Sequence, residues 1–216
     1  MFDTIAQRVQ ATSAESRVLK NTYTLLSGTL LLTAGITWLT QDIHLSPWAY
    51  LGSIIGSFVL LFVTMGLRNS ALGVLALVGF ASLEGLSLGP VINFYLHTPQ
   101  GSATVAEASG LTALAFVSLS AYVHTTRRDF SAMRGMLFVG LIVVVIASLI
   151  GIFVPSQAFQ MAIAGVSALL FCGYILYDTS DIIHGGETNY IMATMRLYLD
   201  ILNLFLSLLR LLSRRD

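Results

Sequence analysis

Charge is scarce in this chain. Lys and Arg number 11, Asp and Glu 11, so only 10% of the 216 residues are charged, against about 25% in an ordinary soluble domain. Too few charged groups remain to cover a surface facing water. Neither sign is in excess: the formal net charge of +0 removes both the basic face that would hold a nucleic-acid backbone and any acidic tail. Cysteine is scarcer still. Cys172 stands alone, so no internal disulfide can form, and its place in an apolar run reads as a small buried hydrophobe. What is abundant is apolar: 56% of the residues are hydrophobic and the mean hydropathy is +0.81. The composition is that of a protein whose solvent is the lipid bilayer.

A helix needs roughly 20 apolar residues to cross about 30 Å of hydrocarbon. On that ruler the runs 22–40, 48–67, 71–96, 104–124, 135–154, 158–181 and 192–212 are seven predicted spans. Their continuous apolarity excludes a strand-built barrel, whose segments alternate. The links are too short for a soluble domain. The expected fold is an all-α integral membrane protein: a cytoplasmic N-terminal tail 1–21, a seven-helix transmembrane domain 22–212 and a short C-terminal tail 213–216. The tail carries Arg8, Glu15, Arg17 and Lys20 with no convincing small-residue cleavage site after the first span, so that span reads as retained.

Positive charge collects in cytoplasmic loops. Arg8, Arg17 and Lys20 precede the first span, Arg68 follows the second, Arg127, Arg128 and Arg134 lie between the fourth and fifth, and Arg196 opens the seventh, while the alternate loops hold no Lys or Arg. The N-terminus is therefore expected in the cytoplasm. Arg210, Arg214 and Arg215 disagree, so the last segment either crosses with these at the far interface or turns back; the pattern leaves both open.

Ionisable side chains at membrane depth are costly and usually face a bundle interior or a water-filled path. Arg196, Asp200, Asn203, Ser207, Arg210 and Arg214 recur every three or four residues along one stripe, which predicts that the other helices enclose the seventh. On the sixth span Tyr174, Asp178 and Asp181 share a face, and the short link to the seventh makes the two helices antiparallel neighbours, so Asp178 and Asp200 could meet. Two adjacent carboxylates resist double ionisation and share a proton; ionised, they offer oxygen ligands to a hard cation such as Ca²⁺. The plainer alternative is that each aspartate pairs with an arginine or caps a helix end, with Arg196 one turn before Asp200. Arg68 is then either an interfacial anchor or, beside an aspartate, a latch.

Glu84, near the middle of the third span, is a functional suspect or else a neutral carboxyl bonded to another helix. Pro90 and nearby glycines would loosen that helix or let another backbone approach, and Glu107 reads as a solvated helix start. Gly85-Leu86-Ser87-Leu88-Gly89 matches the serine-hydrolase G-x-S-x-G, but that motif works at a strand-to-helix elbow and here lies inside a helical run. His44, His97, His124 and His184 lack zinc spacing, and solvated loop positions suit them, with His124 and His184 candidates for sensing cytoplasmic pH.

Three segments together resemble the Bax inhibitor-1 family, also called the transmembrane BAX inhibitor motif family. They are Ser82-Leu83-Glu84-Gly85-Leu86-Ser87-Leu88-Gly89-Pro90, Leu176-Tyr177-Asp178-Thr179 through Ile182-Ile183, and Tyr198-Leu199-Asp200-Ile201-Leu202-Asn203-Leu204-Phe205. The run His184-Gly185-Gly186-Glu187-Thr188-Asn189-Tyr190-Ile191 resembles the bacterial branch. The resemblance implies a central seventh helix inside six others and a pH-dependent Ca²⁺ leak, with the paired-aspartate sensor at Asp178 and Asp200 and the latching arginine at Arg68. It also implies an inner-membrane location and modulation of the membrane-bound FtsH protease. The basic C-terminal tail of eukaryotic relatives shrinks here to Ser213-Arg214-Arg215-Asp216, which argues against an apoptosis-related role of the eukaryotic kind.

Three functions compete. A proton-gated cation leak rests on the polar stripe and the carboxylate pair, with Glu84, Asp181, Arg196 and Asn203 in support. A modulator of FtsH would engage the protease through the polar residues 1–20, a degradation handle. An intramembrane aspartyl protease also uses a Tyr-Asp pair, but the second aspartate here follows Leu197-Tyr198-Leu199 instead of Gly-x-Gly, and no Pro-Ala-Leu motif follows. No enzyme activity and no cofactor beyond Ca²⁺ is expected.

Overall fold

The computed structural model describes residues 2–154 and 156–213, with side chains from residue 16 onward. Arg214 and Arg215 lie outside the described residues, as does the Arg8 side chain. Among the described residues there is no strand. Seven helices are long and apolar enough to cross a membrane. They are α1 (Phe2–Thr40), α2 (Pro47–Gly66), α3 (Ala71–Leu96), α4 (Gly101–Thr126), α5 (Arg134–Phe153), α6 (Gln157–Ile183) and α7 (Tyr190–Leu212), with a single 3-10 turn, Ser131–Met133, before α5.

The bounds follow capping chemistry, where the apolar ruler saw only hydropathy. α2 starts at Pro47 because Ser46 accepts the Ala49 N–H at 3.2 Å and proline has no N–H to satisfy in the first turn. α4 starts three residues before its apolar run: Gln100 turns the chain at φ 59 and its carbonyl accepts the Thr104 N–H. α6 starts at Gln157, where the Ser156 hydroxyl accepts the Phe159 N–H at 3.3 Å. The helix of α1 begins at Phe2, within the segment expected as a tail, and its span-like part covers Ser16–Thr40.

Outward faces are apolar, as lipid requires. On α2, Phe58 and Phe62 are exposed, and α5, whose best window reaches a mean hydropathy of 3.0, exposes Phe138, Val139 and Phe153. In water such a surface would aggregate; against acyl chains it costs nothing, and a helix leaves no backbone polar group unbonded there.

The chain divides into two compact units, Met1–His97 with Ile182–Tyr198, and Thr98–Asp181 with Leu199–Asp216. In the first, α3 packs on α1 and α2. Thr33 Oγ1 donates to the Ala81 carbonyl at 2.9 Å and Thr37 Oγ1 to the Gly85 carbonyl at 3.1 Å, so one face of α1 hydrogen-bonds the backbone of α3. That approach requires glycine: a Cβ on Gly85 would lie 2.8 Å from the Thr33 carbonyl oxygen. The G-x-S-x-G run is thus a helix-packing face, with small residues letting two backbones come together. Pro90 lies inside α3, which continues past it to Leu96.

In the second unit, Ala168, Phe171 and Ile175 of α6 pack on Leu204 of α7, with Phe116 and Leu119 of α4 and Leu141 of α5 against them. Ser180, near the end of α6, accepts the Phe130 N–H at 3.0 Å and donates to the Arg128 carbonyl at 3.2 Å, tying the α4–α5 link to α6.

Candidate functional site

Polar residues in an apolar chain have to be accounted for one at a time. In the second unit, Asp178 on α6 and Asp200 on α7 are each only 5% exposed. Tyr174, one turn before Asp178, lies within electrostatic reach of both carboxylates and of Tyr177. Two nearly sealed acidic groups from consecutive helices therefore lie within reach of one half-buried phenol. The helical period explains the placement: Tyr174 and Asp178 are four apart and share a face, and Ile175 beside them packs on Leu204, one turn after Asp200.

Asn203 and Ser207 continue the α7 stripe and satisfy themselves locally: Asn203 Nδ2 donates to the Leu199 carbonyl at 2.7 Å and Ser207 Oγ to the Asn203 carbonyl at 2.7 Å. Ser207 is buried and Asn203 half-buried, whereas Arg210 is exposed. The stripe is therefore buried along its middle and exposed at its end. Asp181 is half-buried at the end of α6. Among the described residues no group of three or more His, Cys, Asp and Glu is arranged to hold a metal ion, so Asp178 and Asp200 would bring two carboxylates and no third side chain of those types to a Ca²⁺ ion.

The first unit holds the other residues singled out. Glu84 is half-buried in α3 and hydrogen-bonds the Ser57 side chain of α2. The Ser57 hydroxyl also lies 2.9 Å from the Ile54 carbonyl of its own helix. Arg68 is exposed at the α2–α3 turn. Arg196 forms an ion pair with Glu187 at 3.0 Å, the carboxylate of the α6–α7 link. Glu107 and the four histidines are exposed.

Two arrangements escaped the sequence reading. Asn189 caps α7, its Oδ1 accepting the Ile191 and Met192 N–H groups at 3.0 and 3.1 Å, while its Nδ2 donates to the Arg68 carbonyl at 2.8 Å and to Asn69 Oδ1 at 2.9 Å. Asn just before an apolar run is a helix-start signal, so the cap was readable. The bonds to residues 121 and 120 positions away in sequence were not. Tyr198 is fully buried, bonds Thr33 Oγ1 at 2.7 Å and stands edge-on to Phe80 with ring centroids 5.4 Å apart. Nothing local marks that contact, because it depends on the packing register of α1, α3 and the start of α7.

Seven apolar helices whose interiors carry a few enclosed carboxyl, phenol and hydroxyl groups define a polytopic membrane protein. The family whose model is described as inhibitor of apoptosis-promoting Bax1 matches residues 15–216, and the chain belongs to this Bax inhibitor family. An uncharacterized membrane protein of Vibrio cholerae is 47% identical over 95% of this chain and 92% of its own length. The modulator of FtsH protease YccA of Escherichia coli K12 is 42% identical over 91% of this chain and 90% of its own. A Golgi anti-apoptotic protein of vaccinia virus is 39% identical over 78% of this chain and 70% of its own.

Proposed function

We propose that this protein is a proton-gated cation leak of the bacterial inner membrane, with Asp178 and Asp200 as its sensor and Ca²⁺ as an ion it passes. The observation that carries the reading is the pair of 5%-exposed aspartates on α6 and α7, both acting on Tyr174. Enclosed carboxyls on adjacent helices are where gain or loss of a proton most alters the forces between those helices, since a charge there is poorly screened. α7, with 61% of its apolar window buried, more than any other span, suits a helix lying among the others. Arg68 serves as the latch, and Glu84, Asp181, Arg196 and Asn203 as supporting polar groups. Basic residues in alternate links support a cytoplasmic N-terminus. No catalytic step is assigned.

The test is Ca²⁺ flux into liposomes carrying the purified protein, read across neutral pH. Wild type is expected to change its flux with pH, Asp178→Asn and Asp200→Asn to flatten the profile, and Arg68→Ala to raise flux at every pH. Flux that is insensitive to pH and unaltered in both aspartate variants would defeat the reading.

A second reading, as a modulator of the FtsH protease, is favoured by 42% identity to a protein with that name. In it the N-terminal residues 1–20 are the segment that the protease engages. Deleting them should lengthen the lifetime of the protein in cells that contain FtsH; an unchanged lifetime contradicts the assignment.

A further inference from the structure

The first unit has an opening on its flank whose walls are not those of a water-filled site. A cavity of about 770 Å³ runs along α1 from Lys20 and Asn21 to Leu32, with Val78 of α3 and Tyr190 of α7 as its other side. Lys20 and Leu32 are twelve residues apart, about 18 Å of helix at 1.5 Å per residue, close to one leaflet of a bilayer whose hydrocarbon is about 30 Å thick. The two threonines in the wall add little polarity, because each hydroxyl is turned back on its own helix: Thr24 Oγ1 donates to the Lys20 carbonyl at 2.8 Å and Thr29 Oγ1 to the Leu25 carbonyl at 3.0 Å.

Its floor is low at Gly28, where a Cβ would meet nothing within 4 Å. Its mouth is polar and cationic. Lys20 is exposed there beside Asn21, Tyr190 stands opposite, exposed Arg17 lies one turn earlier on the same helix, and among the described residues no acidic side chain lines the trough. One cationic, hydrogen-bonding end and one apolar channel as deep as a leaflet match a molecule with an anionic head and an acyl tail.

We propose that this trough binds an anionic phospholipid of the surrounding bilayer, its phosphate at Lys20 and Asn21 and one acyl chain laid over Gly28 toward Leu32 and Val78. Shape selects the chain and charge selects the head. A lysine near an anionic lipid surface contributes about fivefold in affinity, so the preference for an anionic over a zwitterionic head should be of that order.

The experiment is native mass spectrometry of the full chain, released from detergent after equilibration with equal amounts of phosphatidylglycerol and phosphatidylcholine of identical acyl chains. Wild type should retain one lipid per chain, with phosphatidylglycerol favoured about fivefold. Lys20→Gln should remove the preference while keeping the adduct. Gly28→Leu places its Cβ in open space and extends a side chain into the channel, and should remove the adduct; Gly35→Leu, whose Cβ also meets open space but outside the trough, should change neither. The proposal is overturned by an adduct that survives Gly28→Leu, by a head preference that survives Lys20→Gln, or by a two-chain species abolished by Gly28→Leu, which would give the trough to a second copy. Circular dichroism of each variant separates loss of lipid from loss of fold.

Discussion

Replacing Gly85 by alanine tests the α1–α3 seam through a substitution that should stabilise an ordinary helix. In an exposed helix Gly→Ala contributes about 1 kcal/mol. Here the added Cβ would sit 2.8 Å from the Thr33 carbonyl oxygen and 2.9 Å from Ile36 Cβ, where ordinary contact begins at 3.4 Å, so α1 must retreat by about 0.6 Å. Overpacking of that kind costs about 1–3 kcal/mol. The retreat also stretches Thr33→Ala81 and Thr37→Gly85, interhelical bonds worth about 0.6 kcal/mol each inside a membrane protein. Set against the helix gain, the net loss is about 2 kcal/mol, or a fall in Tm of about 4–8 °C for a chain of this size.

Gly28→Ala supplies the opposite sign, since a Cβ there meets nothing within 4 Å; it should raise stability by up to about 1 kcal/mol. The assay is thermal unfolding in one detergent, followed by helical circular dichroism, for wild type and both variants. A Gly85→Ala protein as stable as wild type, or a Gly28→Ala protein destabilised to the same extent, would refute the claim that backbone approach at Gly85 holds α1 to α3.

Three further outcomes can be checked, the first two in the same assay. Asn189→Ala removes the α7 cap and both bonds to the α2–α3 turn and should cost about 2 kcal/mol, whereas Asn189→Ser keeps a cap and should cost about half as much; equal losses would show that the cap contributes nothing, and an Asn189→Ser protein as stable as wild type that the turn bonds contribute nothing. Tyr198→Phe should cost less than Thr33→Val: the first leaves Thr33 Oγ1 still donating to Ala81, while the second strands a buried phenol, a penalty of about 1–3 kcal/mol, and the reverse order would contradict the hydrogen-bond directions. Ser180→Ala should leave the Phe130 N–H and Arg128 carbonyl without their α6 partner and speed protease nicking of the α4–α5 link, measured by limited proteolysis; an unchanged rate would mean the link is held by other contacts.

The spans were legible because hydropathy over about 20 residues is a local property that a bilayer imposes on each helix separately. α3 occupies 71–96 as expected, and the other spans differ chiefly where capping residues such as Ser46 and Gln100 decide the first hydrogen bond. Of the candidate site, the sequence conveyed residue types and helical faces: Tyr174, Asp178 and Asp200 were readable because each is an ionisable group in an apolar run. Partners were harder. Arg196 invited pairing with Asp200 one turn away, and the structure gives it Glu187 in the α6–α7 link. Thr33 and Thr37 carry no sequence signal of their interhelical role, since a threonine bonded back to its own helix and one bonded to another helix are identical in sequence.

That last distinction separates the two units chemically. In the first, buried hydroxyls reach carbonyls of neighbouring helices: Thr33 to Ala81, Thr37 to Gly85, and Thr194 to Thr22 at 3.3 Å. A hydroxyl does not change charge near neutral pH, so these bonds persist whatever the proton concentration. In the second, the most enclosed ionisable groups are Asp178 and Asp200, and a carboxyl that loses its proton turns from donor to acceptor and acquires a charge. Under the proposed gating, a seam made of hydroxyls and glycines would resist pH and the enclosed carboxyls would respond to it. A proton-driven movement of this protein should therefore begin where α6 meets the second half of α7, and Thr33, Thr37 and Gly85 should govern stability without governing the pH at which flux changes. Thr37→Val read in the liposome assay separates the two: a lower Tm with an unshifted pH profile is the expected result, and a shifted profile would mean that the seam itself takes part in gating.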